Sequence, residues 1–131
     1  MFLARVIGSV VATKKDESMK GRKLLLLRPL LVDEAQPDRF RSGQNTIVAV
    51  DSHGAGKDEI VLFCQGSSAR QATGMKQLPV DAAVIGIVDR IEVLGKSTYC
   101  AGDDTASAQS ASPTNVKSTA PAKKTSRSQT K

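Results

Sequence analysis

The sequence predicts an all-β fold, a small five-stranded barrel with short helical turns, followed by a disordered C-terminal tail. Three observations carry this. The apolar residues fall in runs of four to ten bounded by Gly, Pro and Asp, which is the signature of strands. Gly8 and Gly86 interrupt two of those runs, where a sheet that must curl needs a bulge or a close backbone approach. From about Ala101 onward the apolar pattern gives way to Ser, Thr, Ala, Pro and Lys, a composition that buries too little surface to offset the entropy of ordering.

The first run, from Phe2 to Thr13, alternates: Phe2, Ala4, Val6, Gly8, Val10 and Ala12 form a wholly apolar or small face expected to meet the core. Lys14 to Lys20 is a charged turn closed by Gly21. Lys23 to Val32 is a continuous apolar strand, and Pro29, lacking a ladder donor, confines its end to an edge or bulge. Asp33 to Asn45 reads as a polar surface loop. Ile47–Val50 and Ile60–Cys64 read as a β-hairpin with a long loop containing Gly54 and Gly56. Ser67 or Ser68 is placed to cap a short helical turn, Gln71 to Gln77 reads as an exposed loop, and Pro79 to Ala83 reads as a single helical turn. Val84 to Leu94 is the fifth strand. Five antiparallel strands in about a hundred residues suggest a barrel of the OB type.

The run Ile60-Val61-Leu62-Phe63-Cys64 shows no in/out alternation, so both of its faces should be covered. The domain's own core supplies one cover. A domain this small has little left for the other, and a partner subunit is the natural candidate.

The chain has 131 residues: 1–100 read as one domain and 101–131 as a low-complexity basic tail. The net charge of +6 divides evenly between them, because residues 1–100 carry 14 Lys/Arg against 11 Asp/Glu, while the tail carries five basic residues against Asp103 and Asp104. The body is therefore close to balanced, and the overall charge is weak evidence for a nucleic-acid face. No apolar stretch is long enough for a membrane-spanning helix, and the start has no basic n-region ahead of its apolar run, so neither membrane insertion nor a cleaved signal is expected. Cys64 and Cys100 belong to no CxxC pair and are expected as free thiols in a reducing cytoplasm.

No constellation of residues amounts to an active site. Gly54-Ala55-Gly56-Lys57 lacks the first glycine of a phosphate loop, and Asp58 puts a carboxylate where phosphate sits. His53 is the only histidine and has no second metal ligand at suitable spacing. Asp51, Asp58 and Glu59 read as solvated turn charges, and Gly66-Ser67-Ser68 does not complete a nucleophile elbow. Arg70 suits either a contact across an interface or an internal salt bridge. Catalytic residues, metal ligands and cofactor contacts are thus expected to be none.

Four segments in order and spacing, LARVIGSVVATKK, MKGRKLLLLRPL, VAVDSHGAGKDEIVLFCQGSSAR and PVDAAVIGIVDRIEV, resemble the EutN/CcmL family of pentameric vertex proteins from bacterial microcompartment shells, carboxysomes included. The resemblance covers about Met1 to Val93. His53 and the pair Lys57-Asp58 depart from the family's pattern, and the tail exceeds its core. The resemblance implies a non-enzymatic structural protein of the bacterial cytoplasm: a homopentamer that closes the corners of a shell whose flat facets are hexameric and trimeric tiles. It further implies an axial pore loop at His53, Gly54, Ala55 and Gly56, and subunit contacts at Val61, Phe63, Arg70 and Asp81. The tail is a candidate tether to encapsulated cargo enzymes. The alternative is an OB-type binder of single-stranded nucleic acid with a basic tail, although the chain has only Phe2, Phe40, Phe63 and Tyr99 to serve as stacking platforms.

Overall fold

The structure, a computed structural model, describes residues 1–103. The expected tail lies outside the described residues from position 104 onward. Eight strands are present among the described residues: β1 (Phe2–Val10), β2 (Lys23–Val32), β3 (Phe40–Ser42), β4 (Ile47–Asp51), β5 (Ile60–Gln65), β6 (Ala82–Ile87), β7 (Arg90–Val93) and β8 (Lys96–Cys100). Two 3-10 turns, Glu17–Met19 and Gly66–Gln71, are the helical elements among these residues.

Strands β1, β5, β6, β4 and β2 are hydrogen-bonded in that order, and β2 returns to β1, which closes a five-stranded barrel. All its ladders are antiparallel except β4 with β6, joined in parallel through Val50 and Ala83. The expected barrel is therefore present, in a Greek-key order in which the fifth barrel strand lies between the third and fourth. That order overturns the hairpin expected from Ile47–Val50 and Ile60–Cys64: β4 and β5 are not paired, because β6 lies between them. The residues expected as a helical turn at 79–83 instead lead into that strand, which begins at Ala82. The run from Val84 to Leu94 is not one strand either. It breaks after Ile87: the Val88 N–H still donates to the Ile60 carbonyl of β5 at 2.9 Å, and β7 then resumes in a separate two-stranded sheet with β8.

Local chemistry explains the two bends that let the sheet close. The β1–β2 register shifts between Val6 and Gly8, the bulge expected from a mid-strand glycine. Pro29 sits where β2 exchanges one neighbour for another, after the β4 ladder ends at Leu27 and before the β3 ladder starts at Leu30, so its missing N–H breaks no bond on that side. The short β3 lies inside the segment expected to be a plain surface loop.

Two apolar clusters account for the strands without alternation. Ala4, Val6, Leu25, Leu27, Val61, Phe63 and Val84 fill the barrel. Outside it, Val50, Ala69, Met75, Leu78, Val80 and Ala83 form a second cluster on which Leu24 and Cys64 pack. The stretch from Gly66 to Val80 therefore folds over the outer wall. Gln71–Gln77, expected to be exposed, carries the fully buried Met75. For Cys64 the second cover inferred for this run comes from the chain's own outer layer, whereas Leu62 stays half-buried.

Candidate functional site

The loop from Ser52 to Glu59 is held by a clamp with Asp51 at its centre. Asp51 closes β4 with its carboxylate enclosed, and the two oxygens accept from the His53 N–H at 2.9 Å and the Ala55 N–H at 2.8 Å. Lys23, at the start of β2, donates to the Ala55 carbonyl at 2.7 Å and stands 3.8 Å from the same carboxylate. Ala55 is thus gripped by both backbone groups while its methyl is buried in the barrel core. Gly54 makes the turn possible at φ +80°, where a side chain is strained. Farther along, the Glu59 carboxylate accepts from the Gly56 N–H at 2.7 Å, the Asp58 N–H donates to Val6, and Arg5 donates to the Asp58 carbonyl at 2.9 Å. The acidic residues of this loop are fasteners.

Of the four expected pore-loop residues, His53, Gly54 and Gly56 are exposed on this turn, whereas Ala55 faces the core and presents no side chain to solvent. The asparagine-like turn made by Asp51 has a signal in the sequence, a carboxylate two residues before the amide it caps. Lys23, remote along the chain, has none.

Among the expected subunit contacts, Val61 and Phe63 are corrected. Both are fully enclosed inside the chain's own barrel and have no surface to offer a second copy. Arg70 and Asp81 are exposed and lie on one surface, because the Gly66 N–H donates to the Asp81 carbonyl at 2.7 Å and the Arg70 guanidinium reaches the Val80 carbonyl at 3.4 Å. Among the described residues Arg70 has no carboxylate within ion-pair distance. The apolar surface left uncovered lies elsewhere. Val48 stands exposed on the outer wall beside Leu26, and Met1, Phe2, Leu31 and Val32 stand exposed where the start of β1 meets the end of β2. The register that pairs Ala4 with Pro29 brings these last four together when continued.

The aromatic residues do not form a stacking platform. Phe63 is buried, and Phe2 packs on it with ring centroids 5.6 Å apart. The thiols of Cys64 and Cys100 are free, and neither Ser67 nor Ser68 caps the turn at Gly66–Gln71, which starts from Gln65 without a side-chain bond.

A family model described as ethanolamine utilisation protein EutN/carboxysome matches residues 1–89. The microcompartment shell vertex protein GrpN of Rhodospirillum rubrum is 48% identical over 94 residues, 72% of this chain and 99% of that protein. The solved CcmL of Gloeobacter violaceus superposes with a TM-score of 0.68 at 46% identity, over 79% of this chain and all of that one. The solved GrpN, described as a pentameric microcompartment shell protein, superposes with a TM-score of 0.59 at 44% identity, over 72% of this chain and all of that one. A closed barrel of this order, matched over most of its length by these proteins, places the chain in the EutN/CcmL family.

Proposed function

We propose that the chain is a structural subunit of a bacterial microcompartment shell, assembling as a homopentamer at the vertices. The observation that carries the reading is the match to shell vertex proteins over nearly their whole length, barrel included. A flat sheet of hexagonal units cannot close, and fivefold units at its corners supply the curvature. The protein then has no catalytic task and works in the shell, within the bacterial cytoplasm. The nucleic-acid reading is set aside: the relatives are shell proteins, and of the four aromatic residues that stacking would need Phe63 is buried and Phe2 packs on it.

Within that reading, Arg70 and Asp81 belong to the subunit contact, supported by their exposure on one surface and by the lack, among the described residues, of a carboxylate partner for Arg70. His53, Gly54 and Gly56 belong to the axial opening, supported by the rigid anchoring of an exposed turn with small residues suited to close approach at a symmetry axis. Hexameric and trimeric shell tiles are the neighbours. The tail, from 101 to 131, tethers cargo enzymes through its basic residues.

Native mass spectrometry tests the central statement. Five copies of a 13.9 kDa chain give a species of about 70 kDa, as expected for a closed ring. A uniform monomer at micromolar concentration would end the reading. Removing residues 104–131 should leave that mass pattern five-fold and reduce cargo retention in assembled shells. Unchanged retention rules out the tether.

A further inference from the structure

We infer that the β7–β8 hairpin is a clasp whose tip, Leu94, seats in a cleft of the adjacent copy. This rests on the ring reading above and adds to it the element that grips and the place gripped.

The hairpin is poorly supported by its own chain. It forms a two-stranded sheet separate from the barrel, and none of its residues, from Arg90 to Cys100, is buried. Such an isolated pair of strands is marginal in water and becomes stable when something packs against it. Its ladder carries one bulge, between Ile91 and Glu92, but is otherwise held: Ile91 pairs with Tyr99 and Val93 with Lys96, the Thr98 hydroxyl donates to the Pro37 carbonyl at 2.6 Å, and the Ala101 N–H donates to the Asp89 carbonyl at 2.7 Å. The arm is fixed at its base and free at its tip.

The tip has an unusual residue. Leu94 and Gly95 are the two central residues of the turn, at φ +50° and +76°, as a two-residue hairpin turn with both φ positive requires. Asn, Asp or Gly suits the first of these positions, and leucine is penalised there. Leu94 is also 74% exposed, so the side chain is disfavoured by both backbone and solvent unless a second surface receives it.

The chain carries a receptor of matching character at a different place. Val10, Val11, Ala12 and Leu24, together with Ser9, Lys15, Arg22 and Lys23, line an open cleft of about 280 Å³ where β1 ends and β2 begins. Cavities of roughly 150 Å³ lined by aliphatic side chains already accept a molecule the size of benzene, so an isobutyl group fits. Val11 is 90% exposed and, like Leu94, is left largely bare by the described residues. The basic groups of the lining complement the Glu92 carboxylate on the arm, which is itself shared with Arg90. A projection and a recess at two separate sites are what a head-to-tail ring uses, since each copy then gives one contact and receives another. The arm starts at Arg90, one residue past the stretch the family model matches.

Cross-linking of the full chain in a Cys100→Ser background tests this. With Leu94→Cys and Val11→Cys together, oxidation should give a denaturation-resistant ladder ending at five copies, and either substitution alone should give none. Leu94→Asn, which relieves the turn and removes the apolar tip, should raise the concentration at which the ring dissociates by about tenfold or more, as truncation of a central interface residue does. Its unfolding midpoint as a dissociated monomer should stay level or rise. A five-copy native mass without the covalent ladder, or with dissociation unchanged in Leu94→Asn, overturns the clasp and leaves the ring standing. A monomeric unsubstituted chain overturns both.

Discussion

Asp51 is the residue on which the exposed turn depends. Its enclosed carboxylate satisfies two backbone N–H groups and has a cation, Lys23, at one edge. Replacing it by Ala leaves the buried Ala55 N–H without an acceptor, and a lost charged acceptor of this kind destabilises by about 2–4 kcal/mol. Urea unfolding of Asp51→Ala should show that loss, and hydrogen exchange at the Ala55 amide should quicken by more than the global change. Lys23→Met should have a smaller effect, because nearly half of the Lys23 side chain is in solvent and screened. Asp16 makes a different, fully exposed case. Its side-chain bond from the Ser18 hydroxyl, and then the bond from the Ser18 N–H, hold its carboxyl below the ordinary range. A folded value below the unfolded one means that the turn's support is complete above the unfolded value and is lost as pH falls through the folded one. The Ser18 amide resonance should follow that titration at acid pH while barrel resonances stay fixed. The charges flanking this loop read in the sequence as solvated, and for Asp51 the structure overturns that: its Asx-type turn needs only neighbours along the chain, but its enclosure and its clamp with Lys23 depend on another strand and were illegible.

At the scale of elements, strand existence was easier to read than strand pairing. The runs at Phe2, Lys23, Ile47 and Ile60 are all strands, since β-branched and apolar runs bounded by Gly and Asp state their conformation locally. Pairing β4 with β5 followed from their nearness in sequence, yet β6 enters between them from thirty residues downstream of β4, a placement that no local pattern encodes. The same cause hid the outer layer. Met75, flanked by polar residues in a segment rich in Gly and Gln, looks like a loop side chain; it is buried because Gly66–Val80 folds across β4, β5 and β6 and fills their outer faces. Met75→Ala should therefore behave as a core truncation and destabilise the chain by about 2–5 kcal/mol, whereas Met19→Ala in the half-buried turn at Glu17–Met19 should stay near 1 kcal/mol. Chemical denaturation of the two variants side by side checks the contrast, and equal losses would mean that the outer layer is not closed.

At the scale of the whole molecule, the question is what a subunit with two satisfied clusters still has to offer a neighbour. On the proposed ring, the strand Ile60–Gln65 offers little, because most of its apolar side chains are enclosed by the described residues; more is offered by the side chains left bare, Val48, Leu31, Val32 and Phe2, and by Arg70, which has no carboxylate partner among the described residues, beside Asp81. A cyclic contact joins two different patches, and Arg70 and Asp81 lie together on one of them, so each would face the other patch of the next copy and not its own counterpart. Arg70→Asp should then weaken the ring and shift the native mass toward smaller species, since truncating or reversing one member of a desolvated charge pair costs about 2–5 kcal/mol. Asp81→Arg alone should do the same. Because the two residues share a patch, combining the substitutions should not restore the five-copy mass. Because both side chains are exposed in the single subunit, its own unfolding free energy should hardly change in any of the three variants. Assembly that fails in all three variants while monomer stability is unchanged assigns this surface to the fivefold contact. Rings that persist in both single variants would move the contact to the bare apolar corner formed by Phe2, Leu31 and Val32.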